Sequence, residues 1–221
     1  MGLKQSKPLS NESLAEIKDN TNLSPRQIRD LWDRFNEIDL RGDGQLQLED
    51  FEKIPEMRIN PLRKRITNLF MNQPREPGEP KVRGITDYYG DRTSVNFYQF
   101  CTFLDTFQKE SRSTKNVEFT YELSDEVIDQ LKLTNRKRAK LELLFGIFDT
   151  DGSNSICQSE LRTLLESMVD QQSVMRDSKK LDILAGKALR EVSKGAEFMD
   201  FENFAVAMQN IDIDEKLLVK I

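Results

Sequence analysis

The chain has 221 residues, a formal net charge of −5 at pH 7 and a sequence pI near 5.1, which argues against nucleic acid as a main partner. It has no histidine, so histidine catalysis, Cys–His zinc sites and histidine pH switches are excluded. Its two cysteines, Cys101 and Cys157, show no pairing pattern and indicate a reducing compartment, and no apolar run approaches the ~20 residues of a membrane span.

The first pattern along the chain is a lipidation motif. The start Met-Gly-Leu-Lys-Gln-Ser fits N-myristoylation of Gly2 after removal of Met1. The alternative is an unmodified, disordered tail. One myristoyl chain binds membranes only marginally, with an association constant of about 10⁴ M⁻¹. We therefore predict a lipidated segment over residues 1–23 that touches the membrane surface through myristate and needs a second anchor, such as a membrane-bound partner.

The next pattern is a helix followed by a twelve-residue acidic loop. Ser24 and Pro25 predict the helix start, with a capping box and proline at the first helical position. In the loop of residues 39–50, Arg41 puts a cation at position 3, and Asp50 at position 12 is one methylene too short for easy bidentate reach. We interpret this loop as a scaffold without reliable calcium affinity; weak or magnesium-assisted binding is the alternative.

Residues 108–134 are predicted to be an interlobe linker. They are polar and charged, with one weak amphipathic stretch near Val127. The segment is either a regulatory or partner-contacting element or a disordered tether. The basic run NRKRAK at residues 135–140 and the cluster at residues 63–65 are interpreted as solvated helix faces, with nuclear import as the alternative for the former.

Residues 149–160, DTDGSNSICQSE, carry the clearest metal-binding pattern. A hard cation such as calcium prefers six to eight oxygen ligands. The predicted ligands are the side chains at loop positions 1, 3 and 5, the backbone carbonyl at position 7 and both carboxylate oxygens at position 12, which fall on Asp149, Asp151, Ser153, Ser155 and Glu160. This spacing resembles the calcium loop of an EF-hand, flanked on both sides by apolar residues at helical spacing.

Three other positions of this loop bear on that interpretation. Ile156 at position 8 is the apolar residue that joins paired loops by a short β-bridge. Asn154 replaces the usual glycine at position 6, where the turn needs a positive φ that asparagine tolerates. Cys157 at position 9 is a poor calcium ligand, so we expect water there. The alternative is an acidic turn between helices that binds nothing.

Two further loops are predicted to bind no metal. The strings VNFYQF from Val95 and MDFENF from Met199 match the end of a twelve-residue loop and its exit helix. Counting back and forward from them, the ligand positions lack carboxylates and hold Tyr88, Arg92, Gln99, Val192 and Asn203.

These repeats predict an all-α EF-hand protein with four helix–loop–helix units paired in two lobes. One hand cannot bury its own apolar face, so we assign the lobes to residues 24–107 and 135–212, followed by a tail over residues 213–221. The chain is predicted to bind one calcium ion and not to be an enzyme.

Longer strings resemble a particular family. Gly2, FEKIPEMRINPLRKRI at residues 51–66, VNFYQF at 95–100 and IDIDEK at 211–216 are similar to the calcineurin B homologous proteins. A single intact loop in the third hand is most like the tescalcin type. The resemblance implies binding to an amphipathic juxtamembrane helix of a plasma-membrane sodium/proton exchanger, in support of its stability and activity. It also implies a location in the cytoplasm and at the cytoplasmic face of the plasma membrane.

Two alternative functions stay open. Some members of this family restrain calcineurin, so the chain could be a regulatory subunit or inhibitor that contacts the calcineurin catalytic subunit. The other alternative is a calcium buffer, against which a single intact loop argues. Groove residues for a partner helix cannot be assigned, because core and groove positions share one periodicity.

Overall fold

The computed structural model describes residues 8–54, 57, 60, 62–71, 94–108, 119–169 and 177–212. These residues are mostly helical, as predicted. None of the described helices combines the length and the apolar character that crossing a membrane requires.

The first lobe is built from five described helices and a two-stranded sheet. Ser24 forms both hydrogen bonds of the predicted capping box with Gln27 at the start of the second helix. In chain order the elements are α1 (Asn11–Asn20), α2 (Pro25–Ile38), β1 (Leu46–Gln47), α3 (Leu48–Phe51), α4 (Arg63–Met71), β2 (Ser94–Val95) and α5 (Phe97–Asp105).

The second lobe repeats this plan. It contains α6 (Asp125–Leu131), α7 (Asn135–Phe148), β3 (Ser155–Cys157), α8 (Gln158–Met168), α9 (Ser178–Val192), β4 (Phe198–Asp200) and α10 (Phe201–Ala207), which ends in a 3₁₀ turn over Met208–Asn210.

The loops pair as the repeat predicts. Leu46 lies opposite Val95 in the antiparallel pair β1–β2, and Ile156 lies opposite Met199 in β3–β4. All four are buried apolar residues at loop position 8. Each short sheet therefore ties the two hands of one lobe together, which confirms the paired EF-hand architecture.

Each lobe has its own apolar core, rich in aromatic rings. In the first, Phe35 is fully buried and packs edge-on against Phe97 and Phe100, with ring centroids 5.4 and 5.5 Å away. In the second, Phe145 holds the matching place against Phe201 and Phe204, at 5.3 and 5.4 Å. The predicted aromatic stripes thus belong to the core.

Helix α1 was not predicted, and it lies inside the segment assigned to residues 1–23. Its ten residues hold only two large apolar side chains, Leu14 and Ile17, so its sequence pattern is weak. Ser10 caps its start by accepting a hydrogen bond from the Ser13 N–H. Ile17 is only 1% exposed and belongs to the first core, so tertiary packing stabilises this helix.

The interpretation of residues 135–140 as a solvated face is wrong. Arg136 and Lys140 are buried. The guanidinium of Arg136 donates to Asp105 at the end of α5 over 3.3 Å, and Asn22 donates to the same carboxylate. The basic run therefore forms part of the contact between the lobes, because its partners come from sequence-distant elements.

The basic cluster at residues 63–65 is only partly a solvated face. Lys64 is exposed, as expected. Arg65 instead donates a hydrogen bond of 2.6 Å to the backbone carbonyl of Ile147, two residues before the acidic loop of the third hand. Arg65 thus connects the first lobe to the end of α7.

Candidate metal centre

The loop of residues 149–160 is held between two helices and a strand. Helix α7 ends at Phe148, and the N–H of Asp149 donates to the carbonyl of Phe145 over 2.8 Å. β3 then runs to Cys157, and α8 begins directly after it. Because α7 and β3 are both fixed by core residues, the ends of this loop have little freedom.

Three carboxylates converge inside the loop. Asp149, Asp151 and Glu160 each present an oxygen, and these oxygens all lie within 4.8 Å of one another. Asp149 is fully buried and Glu160 is 7% exposed, whereas Asp151 faces solvent. Within the described part of the chain, no other group of three or more acidic or cysteine ligands comes together in this way.

Backbone N–H groups orient the two buried carboxylates. Asp149 accepts from the N–H groups of Ser153 and Asn154 over 3.0 and 3.1 Å. Glu160 accepts from Thr150 through Oε1 over 2.7 Å and from Cys157 through Oε2 over 3.0 Å. Both carboxylates are therefore positioned by the loop itself before any cation enters.

The remaining predicted ligands lie beside them. The Ser153 hydroxyl is 3.1 Å from the backbone carbonyl oxygen of Ser155, so the oxygens at positions 5 and 7 are neighbours. Asn154 has a φ of 66°, the left-handed conformation expected at position 6. The structure thus brings all five predicted ligand residues around one point.

The electrostatics of the loop suit a hard cation. Burial, followed by the negative charge of Glu160, raises the pKa of Asp149 to about 6. The Ser153 hydrogen bonds lower the pKa of Asp151. Convergent carboxylates that repel one another lose this penalty when a divalent ion lies between them. An all-oxygen set with one buried and one bidentate-capable carboxylate fits calcium.

Two residues near the loop were missed by the sequence interpretation. Tyr121, from the predicted linker, is buried against Phe145, and its hydroxyl lies 3.4 Å from Oδ2 of Asp149. Its backbone N–H donates to Glu142 on α7. Residues 119–134 therefore pack on the second lobe beside the acidic loop. Arg65 is the other missed neighbour. Both contacts join elements far apart in sequence, so no local pattern marks them.

The other loops offer fewer acidic groups. In the fourth, Asn203 donates to Asp200 and helps to cap α10. In the second, Tyr88 and Arg92 lie outside the described residues, and Gln99 is buried at a helix start. Gly2 also lies outside the described residues.

Comparison with known proteins agrees with this architecture. An EF hand family model matches residues 141–165, which include the whole acidic loop. Calcineurin B of Naegleria gruberi is 27% identical over 210 residues, covering 95% of this chain and 94% of that protein. Calcineurin B homologous protein 3 of Homo sapiens is 24% identical over 221 residues, covering 96% and 92%, and the Gallus gallus protein is 25% identical over 230 residues, covering 100% and 95%.

The fold, the paired loops and the family match define an EF-hand protein. Over nearly its whole length the chain resembles the calcineurin B homologous proteins and calcineurin B, as the sequence strings predicted. Together these similarities indicate a calcium-binding regulatory EF-hand protein. The closer likeness to the tescalcin type stays a prediction.

Proposed function

We propose that this chain is a regulatory protein that binds one calcium ion through Asp149, Asp151, Ser153, Ser155 and Glu160 and docks on an amphipathic juxtamembrane helix of a plasma-membrane sodium/proton exchanger. The observation that carries the calcium part is the convergence of three carboxylate oxygens within 4.8 Å in the loop. Bound calcium would supply the positive charge that these carboxylates lack and would hold α7 and α8 at a fixed angle.

The exchanger part of the proposal is supported by similarity. Two calcineurin B homologous protein 3 sequences match over at least 96% of this chain. An amphipathic helix would bind with apolar residues at i, i+3, i+4 and i+7 inserted in a hydrophobic groove. The first lobe is ordered around its own core, so we expect the helix to bind even without calcium, and calcium to tune its affinity.

A second candidate is regulation of calcineurin. The match to calcineurin B of Naegleria gruberi, at 27% identity over 95% of this chain, favours it. In that case the bound helix would come from the calcineurin catalytic subunit. The two candidates share the same mode of binding and differ only in the partner, so a direct comparison of partner helices separates them.

The test is calorimetric titration of the full chain with an exchanger juxtamembrane peptide, in calcium and in EDTA. We expect binding in both, tightened by calcium. By linkage, the peptide must tighten calcium binding by the same factor, typically ~5–150-fold in coupled systems. A peptide of equal composition with its apolar stripe scrambled is the control. No binding under either condition would remove the exchanger hypothesis, and binding only of a calcineurin helix would favour the second candidate.

We further propose that Gly2 is myristoylated and that the protein resides in the cytoplasm and at the cytoplasmic face of the plasma membrane. The chain purified from a eukaryotic host should weigh ~210 Da more than the Met-removed polypeptide, the mass of a fourteen-carbon acyl group on this motif. Gly2→Ala should remove this mass and shift the protein toward the soluble fraction. An unmodified N-terminus in such a host would contradict the proposal.

A further inference from the structure

The first loop, residues 39–50, already contains a cation. The guanidinium of Arg41 lies inside the loop and donates four hydrogen bonds. Nε reaches Asp43 over 3.1 Å and Nη1 reaches the Gln47 side chain over 2.8 Å. Nη2 reaches the Gln45 carbonyl over 3.2 Å and Oδ2 of Asp50 over 2.9 Å.

These four acceptors have a common register. Counting from Asp39, they occupy loop positions 5, 7, 9 and 12, and the acceptor at position 7 is the backbone carbonyl. An EF-hand loop supplies its calcium ligands from the same positions, with a backbone carbonyl at position 7. The guanidinium therefore contacts the oxygens that would otherwise face a metal ion.

The backbone of this loop matches that of the third. Asp39 accepts from the N–H of Gly44 at position 6 over 2.8 Å, as Asp149 accepts from Asn154 over 3.1 Å. Gly44 has a φ of 82°, the same left-handed region as Asn154. The N–H at position 9 also donates to the acid at position 12 in both loops. The first loop thus has the shape of a calcium loop.

Charge explains why the guanidinium stays there. Asp50 is 2% exposed, and Arg41 is its ion-pair partner. A buried carboxylate without a partner is costly, so the pair keeps Asp50 charged and the loop closed. The Gln45 backbone N–H, followed by Arg41, lowers the pKa of Asp43.

We propose that Arg41 is a resident cation: it occupies the metal position of the first loop, holds that loop closed without calcium and prevents a metal ion from entering. The first lobe then keeps its shape at any calcium concentration, and calcium acts on the second lobe alone. This inference concerns the first loop and holds whatever partner the protein binds.

The proposal predicts that a calcium site appears when Arg41 is replaced by a ligand. The test uses the full chain with Glu160→Gln, so that the third loop is silenced and any heat of calcium binding comes from the first. In this background we compare no further change, Arg41→Asp, and Arg41→Asp with Asp50→Glu, which restores bidentate reach at position 12. We expect no binding, weak binding and clearly tighter binding, in that order.

Arg26→Asp is the matched control, because it makes the same change of charge at a side chain that is 92% exposed in the first turn of α2, outside the loop. It should create no site. If the Arg41→Asp, Asp50→Glu chain keeps its circular dichroism and binds no calcium at millimolar concentration, the proposal is wrong.

A second measurement keeps the proposal testable if that variant does not fold. Arg41→Met removes the cation and supplies no ligand, so its urea midpoint in EDTA should fall below that of Arg26→Met. Equal midpoints for the two methionine variants would show that the Arg41 contacts do not hold the loop, and would overturn the proposal.

Discussion

Glu160→Gln is expected to weaken calcium binding by at least about 100-fold. Loss of an outer-sphere partner alone typically costs 10–100-fold in metal affinity, and Glu160 is predicted to be a direct ligand with two oxygens. Its carboxylate is 7% exposed and fixed by backbone N–H groups at both oxygens. Glutamine preserves the size of the side chain but removes one charge and one ligand oxygen. Calorimetry at fixed pH and ionic strength measures the change.

Ser153→Ala is the matched control for this experiment. Its hydroxyl is neutral and exposed, and water can replace it, so we expect a loss of less than about tenfold. Circular dichroism in EDTA should be unchanged in both variants. If Ser153→Ala weakens calcium as much as Glu160→Gln does, the ligand assignment at positions 5 and 12 is wrong.

Phe145→Ala should destabilise the calcium-free chain by about 3–5 kcal/mol, the usual cost of a phenylalanine deletion in a core. Phe145 is fully buried and contacts Tyr121, Phe201 and Phe204, with ring centroids 4.7, 5.3 and 5.4 Å away. Its loss opens a cavity between α7, α10 and the segment before α6. Urea unfolding in EDTA measures the effect without interference from the metal.

Phe148→Ala, one turn further along α7, is the control. Phe148 is half-buried and has one ring contact, to Phe204 at 5.5 Å. Its truncation should cost clearly less than that of Phe145. Equal losses from the two variants would contradict this arrangement of the second core.

Much of the architecture was predictable because the signals are local. The ligand residues of a calcium loop lie within twelve positions, so Asp149 and Glu160 could be paired by counting. The apolar residue at position 8 is equally local, and it led correctly to the pairs Leu46–Val95 and Ile156–Met199. Apolar spacing predicted the aromatic cores for the same reason.

What the sequence concealed depends on distant partners. Helix α1 has only two large apolar residues, and packing against the first core stabilises it. Arg136 was expected in solvent, but Asp105, 31 residues away, pairs with it. Tyr121 approaches Asp149 across 28 positions. No pattern within a single helix or loop indicates such contacts, because each needs the tertiary fold to bring its partners together.

Arg41 lies between these cases. Sequence counting placed it at position 3 and predicted that its cation points at the metal position. The structure adds that the guanidinium satisfies the oxygens at positions 5, 7, 9 and 12 at once. This loop is therefore closed by an internal charge, which counting alone does not reveal.

The most direct test of the whole account is the number of calcium ions that the unmodified full chain binds, measured by calorimetric titration after removal of metal with a chelator. The account predicts one ion per chain, held in the loop of residues 149–160 and lost in Asp149→Ala. Two or more tight sites, or one site that survives Asp149→Ala, would contradict it.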